Sequence, residues 1–145
     1  MTVAPPSSPV SSPPRVHRLI AGGLLSLWAL SLALPVAVIR EGDIWQGWMV
    51  LAFGFLGILN GQFGWLANWV FLPATFAGMV LRRPSRRLLV TVLVLLVPLV
   101  AGTMAWREVV YDDGVHAVMR FGPGYFLWLA AMTGCVVWQA VRVVR

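Results

Sequence analysis

The sequence predicts an all-α membrane protein with about four transmembrane helices and a re-entrant or interfacial helix before the second span. Three observations carry this reading. Apolar residues fill 59% of the 145 positions, above the roughly half that is usual for soluble domains. Only 11% of residues are charged, against about a quarter in soluble domains. The charges gather in short runs, and the apolar stretches between them approach the ~20 residues a helix needs to cross a bilayer. A soluble fold would have to bury all of those stretches inside one small domain.

The chain opens with MTVAPPSSPVSSPP, a run of prolines and serines with little to bury. It reads as a disordered tail over residues 1–17, followed by a four-helix transmembrane domain over 18–145. Arg15, His17 and Arg18 precede the first apolar span, 19–39. Gly22, Ser26, Ala29, Ala33 and Ala37 follow one another at helical steps and predict a face for close helix packing. Pro35 falls near the outer end, where a kink costs least. The rival reading is a signal peptide cleaved after Ser31-Leu32-Ala33. The apolar run is longer than a usual signal core, and the small-residue stripe favours a retained helix.

Arg40-Glu41-Gly42-Asp43 predicts a polar loop, followed by Trp45 and Trp48 at interfacial depth. The apolar region 44–81 comes next. As one helix it would measure about 57 Å, nearly twice the hydrocarbon thickness of ~30 Å. It must break, and Asn60-Gly61 is the natural place, since both residue types accept the left-handed conformation that ends helices. Two pieces are expected, 45–59 and 64–81, with Pro73 bending the second. Glycines 47, 54 and 57 share a face of the first piece that extends to Gly61, which sits awkwardly with a break there.

Arg82-Arg83-Pro84-Ser85-Arg86-Arg87 forms a tight basic connection to the span 88–106, which contains Pro98. Residues 107–124 form the longest loop. Val109-Val110-Tyr111, an Asp112-Asp113-Gly114 turn and 115–121 suit a small hairpin, with irregular structure as the alternative. The last span is 125–141, with Ala130 and Gly134 as a small-xxx-small pair.

All eleven basic residues are arginine, a composition that hints at a GC-rich bacterial genome. If 45–59 does not cross, both termini and the 82–87 loop share one side, with eight arginines and no acid. The other side carries Arg40, Arg107 and Arg120 with all five acids. The positive-inside rule then makes the first side cytoplasmic and the membrane the bacterial inner membrane. The net charge of +6 is accounted for by these orientation signals, so nucleic acid is not an expected partner.

Chemistry-bearing residues are scarce. Asp112, Asp113 and His116 have metal-ligand side chains, but a solvated turn explains them, and no metal or other cofactor is expected. His17 and His116 both fall outside the apolar spans, which disfavours haem. The apolar spans hold no Asp, Glu, Lys or Arg of the kind a pump or proton relay needs. What remains is uncharged. Asn60, Gln62, Trp65, Asn68 and Trp69 form the candidate polar and aromatic pocket, for a lipid, quinone or peptide segment. Trp65, Asn68, Trp69, Leu72 and Phe76 would share one helical face. Plain helix packing explains the same residues.

Gly64-Trp65-Leu66-Ala67-Asn68 and Gly122-Pro123-Gly124-Tyr125-Phe126-Leu127-Trp128-Leu129 resemble patterns that recur in small bacterial four-helix integral membrane proteins of no known activity. The first motif is commonly followed there by proline, where this chain has Trp69. The resemblance covers roughly residues 45–131 and implies an architecture without an activity. The function expected is that of a non-enzymatic accessory or assembly subunit, with the lipid bilayer and a membrane-protein partner or a second copy of the chain as its contacts. A small oligomeric channel lined by Asn60, Gln62 and Asn68, or an immunity-type protein using the 107–124 loop, are the alternatives.

Overall fold

Four long helices pack side by side, and a small β-structure caps one end of the bundle. The computed structural model describes residues 15–40, 43–81, 84–111 and 114–144. The proline-rich tail expected over 1–14 lies outside them, as do Glu41-Gly42, Arg82-Arg83, Asp112-Asp113 and Arg145.

Helix α1 is Arg15–Leu32, α2 is Gly47–Phe53, α3 is Ala67–Val80, α4 is Arg86–Met104 and α5 is Pro123–Val144. Two 3-10 helices, Gly54–Asn60 and Phe63–Leu66, join α2 to α3. The strands are β1 Pro35–Arg40, β2 Asp43–Gln46, β3 Glu108–Tyr111, β4 Gly114–Ala117 and β5 Arg120–Phe121. Helices α1, α5, α4 and α3 form a ring in which each packs on its neighbours. Contacts at both ends of α1 make it antiparallel to α5. Trp138 reaches His17 near the start of α1, and Gly124 lies against the Ser31 carbonyl near its end.

The segments Phe63–Val80, Arg86–Met104 and Pro123–Val144 are long and apolar enough to cross a membrane. Helix α1 is shorter in apolar length than the expected span 19–39, because it stops at Leu32. The reason lies in Pro35. It disfavours the helical conformation at Leu34 and supplies no backbone donor, so the β-branched run Val36, Val38, Ile39 enters a strand instead. At its other end α1 begins at Arg15, three residues inside the tail expected over 1–17.

The bundle core holds Ala21 and Leu24 of α1, Phe71 and Ala74 of α3, Val92, Leu96 and Val100 of α4, and Met132, Cys135 and Trp138 of α5. In α4 the buried residues recur at steps of three and four along one stripe, while Val90, Val94, Leu95 and Val97 face outward. Val94 keeps 66% of its surface exposed. Such a helix has an apolar outside as well as an apolar inside, which suits lipid and not water. Ser85 caps α4, its side chain accepting from the Leu88 N–H at 3.2 Å.

The small-residue face expected on α1 is not the packed one. Ser26, Ala29 and Ala33 are exposed, while Ala21, Leu24 and Ser31 are buried. Close approach is provided from the other side, where Gly134 of α5 seats the Leu24 side chain.

The cap has its own small core of Val36, Ala37, Ile39, Val109 and Tyr125. Strands β2, β1 and β5 form an antiparallel sheet, with Val38 opposite Ile44 on one side and Arg120 on the other. Strands β3 and β4 form the hairpin expected in the long loop, pairing Val109 with His116 and Tyr111 with Gly114. These strands add a β-element to a fold that is otherwise helical.

Candidate functional site

The chain breaks where Asn-Gly predicts. Gly61 ends the first 3-10 helix with φ +74° and its N–H bonded to Ile58. The next residue, Gln62, donates its backbone N–H to Gly57 at 2.9 Å. The returning chain then lies back on the glycines of the outgoing one. The Trp65 ring rests on Gly54 and donates its indole N–H to the Leu51 carbonyl at 2.9 Å. This reconciles the glycine face with the break, because the glycines make room for the strand of chain that follows the turn.

Seven residues of 3-10 helix is long for that conformation, whose runs seldom exceed three or four. Both ends of this α2 and 3-10 segment sit at the capped end of the bundle. Gly47 donates to the Leu34 carbonyl at 3.0 Å, and the Gln62 side chain donates to the Glu108 carbonyl at 3.0 Å. The indole of Trp106 donates to the same Glu108 carbonyl at 2.7 Å.

Asn68 is the point where three helices meet. Its side-chain oxygen accepts the indole N–H of Trp28 in α1 and of Trp128 in α5, both at 2.9 Å. Its amide nitrogen donates to the Trp65 carbonyl at 3.0 Å. A carbonyl oxygen has two lone pairs, and here each serves one indole. Asn68 is buried, so these bonds satisfy an amide that would otherwise be costly to place there.

Under the cap and beside Asn68 lies a cavity of about 110 Å³. Trp45, Val50, Leu56, Trp65, Trp106 and Trp128 line it, together with Tyr125 of the cap core. Glu108 also lines it, and several polar groups of the wall are engaged within the protein. Tyr125 donates to the Thr103 carbonyl at 3.1 Å, Thr103 to Val100 at 2.6 Å, and Ser31 to Trp28 at 2.6 Å. Tyr125 also stacks on Phe121 with ring centres 4.2 Å apart.

Of the five residues expected in the pocket, Gln62, Trp65 and Asn68 line this cavity. Asn60 and Trp69 are not among its lining residues, and both are exposed. Trp69 meets Trp65 edge-to-face at 5.9 Å but leaves 65% of its surface outside. Phe76, placed on the same face by the sequence reading, is 54% exposed. The buried face of α3 runs through Asn68, Phe71, Thr75 and Gly78, so Trp69, Leu72 and Phe76 trace a neighbouring ridge, about 100° round the helix.

Sequence reasoning passed over Trp28, Trp106, Tyr125 and Trp128 as site residues. Trp106, Tyr125 and Trp128 are aromatics near span ends, the signal shared by ordinary interfacial anchors, and Trp28 falls mid-span among residues suited to lipid. Of the proposed metal ligands, Asp112 and Asp113 lie outside the described residues, and His116 sits in β4. Among the described residues no three His, Cys, Asp or Glu side chains group around one point.

No protein-family model matches the chain, and no match is found among curated proteins or solved structures.

Proposed function

We propose that the chain is a four-span protein of the bacterial inner membrane that works by binding and not by catalysis, as an accessory or assembly subunit. Its outer pocket holds an apolar chain end or side chain of a membrane partner. The observation behind this reading is the cavity itself. Its walls are aromatic and glycine-lined, and the amide, indole and hydroxyl groups named above already have partners inside the protein. Apart from the Glu108 carboxylate, apolar contact is what such a wall offers a guest. At about 110 Å³ the cavity is smaller than the ~150 Å³ that accommodates benzene, and well below the ~300–1,000 Å³ of a small-molecule site. A leucine-sized group or the end of an acyl chain suits that volume.

The transmembrane arrangement rests on two further relationships. Helix α1 accompanies α5 from His17 at Trp138 to Ser31 at Gly124, a stretch of about 21 Å of helix. If α5 crosses, α1 crosses with it. The α2 and 3-10 segment starts and ends at one end of the bundle and forms the outer, non-spanning element. With Arg15, Arg18, Arg86, Arg87 and Arg142 at the opposite end, both termini are cytoplasmic.

A photoreactive amino acid at Leu56, which lines the pocket, tests the binding reading against one at outward-facing Val94. The expected result is a discrete lipid or protein adduct at position 56 that disappears in Gly102→Phe, which fills the pocket from α4. Equal, diffuse labelling at both positions, unchanged by Gly102→Phe, would contradict it. So would a turnover activity of the purified protein.

A further inference from the structure

A second concavity lies toward the opposite end of the bundle. An open groove of about 920 Å³ runs along α5, lined by Leu24 of α1 and by Ala130, Thr133, Gly134, Val137 and Arg142 of α5, among others. Its wall is mostly apolar, with Thr133 partway along and His17 and Arg142 toward one end. The guanidinium of Arg142 lies 4.9 Å above the Trp138 ring, and Trp138 is itself oriented by donating to His17 Nδ1 at 3.3 Å. The hydrogen bond from Arg142 to Gln139 is long, at 3.4 Å, and uses one of the five N–H donors of the group. An arginine placed over an indole in this way keeps a planar fork of donors suited to phosphate.

Charge and length define the occupant. Arg15 and Arg18 at the start of α1, and Arg86 and Arg87 at the start of α4, surround the same end. The described carboxylates, Asp43 and Glu108, belong to β2 and β3 in the cap at the far end. From Arg142 to Ala130 the groove follows about 18 Å of helix, close to the ~15 Å depth of one leaflet of a ~30 Å hydrocarbon core. A ligand with its phosphate at Arg142 therefore has its chain in the groove and ends near the bilayer centre.

We propose that this groove binds an anionic phospholipid of the leaflet at the arginine-rich end, with its phosphate on Arg142 and one acyl chain along Val137, Gly134 and Ala130. Basic pockets between membrane helices are suited to such headgroups.

The test is native mass spectrometry of the full chain, released from nanodiscs containing equal phosphatidylglycerol and phosphatidylcholine. The expected result is retention of one phosphatidylglycerol at least fivefold over phosphatidylcholine. Arg142→Gln should abolish that preference. Thr133→Phe, which blocks the groove without changing charge, should lower retention of the lipid by a similar factor. Arg87→Gln removes the same charge outside the groove and should leave the preference within twofold. Arg142→Lys covers the case in which the glutamine variant fails to fold, and should keep part of the selectivity. Equal retention of the two lipids would overturn the proposal. Equal losses in Arg142→Gln and Arg87→Gln would do so too, since they would mean diffuse attraction to basic charge. An unaffected Thr133→Phe would remove the acyl chain from the groove and with it the site as described.

Discussion

Trp128 of α5 donates its indole N–H to the side-chain oxygen of Asn68 in α3, at 2.9 Å and across sixty positions of sequence. Trp28 of α1 donates to the same atom at the same distance. One uncharged amide therefore registers three helices at the level of the pocket. In a membrane, where burying apolar surface supplies no force between helices, such bonds and close packing do that work.

Asn68→Leu removes the acceptor and leaves two indole N–H groups without it. Orphaned buried donors cost about 1–3 kcal/mol in soluble proteins, while hydrogen bonds between membrane helices average about 0.6 kcal/mol. The expected destabilisation of the pair is about 1–3 kcal/mol, read from reversible unfolding in detergent. Asn60→Leu, at an exposed position in the turn, should stay within about 0.5 kcal/mol. Equal effects would remove Asn68 from its place at the centre of the bundle.

Gly61 has φ +74°, and open space surrounds the position a Cβ would take. Substitution there is a test of backbone conformation alone. Gly61→Ala should cost about 1 kcal/mol, and Gly61→Asn less, because asparagine visits the left-handed region more readily. Paired unfolding measurements on the two variants check the order.

Gly64 packs directly on the Thr103 side chain, where the turn before α3 meets the end of α4. Gly64→Ala forces the two apart and should cost about 1–3 kcal/mol. Thr103→Ser removes the methyl group first met and keeps a hydroxyl for the Val100 carbonyl. A double-mutant cycle should show that it recovers part of the loss.

Much of this architecture is legible in the sequence, and the exceptions have physical causes. The break at Asn60-Gly61 is readable because few residues accept φ above zero, so the chain has to name the place. The β3–β4 hairpin is readable from its turn and flanking valines. Strand β1 is concealed because Val36, Ala37 and Ile39 are all buried and lack the alternation that distinguishes a strand from a helix. Pro35 was the available signal, since it ends α1 rather than kinking it. In the pocket, Gln62, Trp65 and Asn68 were readable as unusual polar or amphipathic residues in an apolar run. Trp28 and Trp128 were not, because their partnership with Asn68 exists only after α1, α3 and α5 have come together.

In the proposed arrangement the α2 and 3-10 segment leaves and returns on one side of the membrane, so that the pocket opens at the outer face. Single cysteines at Asp43, Asn60 and Ser85, in a Cys135→Ala background, test it with a membrane-impermeant maleimide on intact cells. Cysteines at positions 43 and 60, which flank the segment, should both be labelled from outside, and the one at position 85 only after permeabilisation. If position 43 is instead labelled together with position 85, and position 60 from the opposite side, the segment crosses the bilayer and the account is wrong.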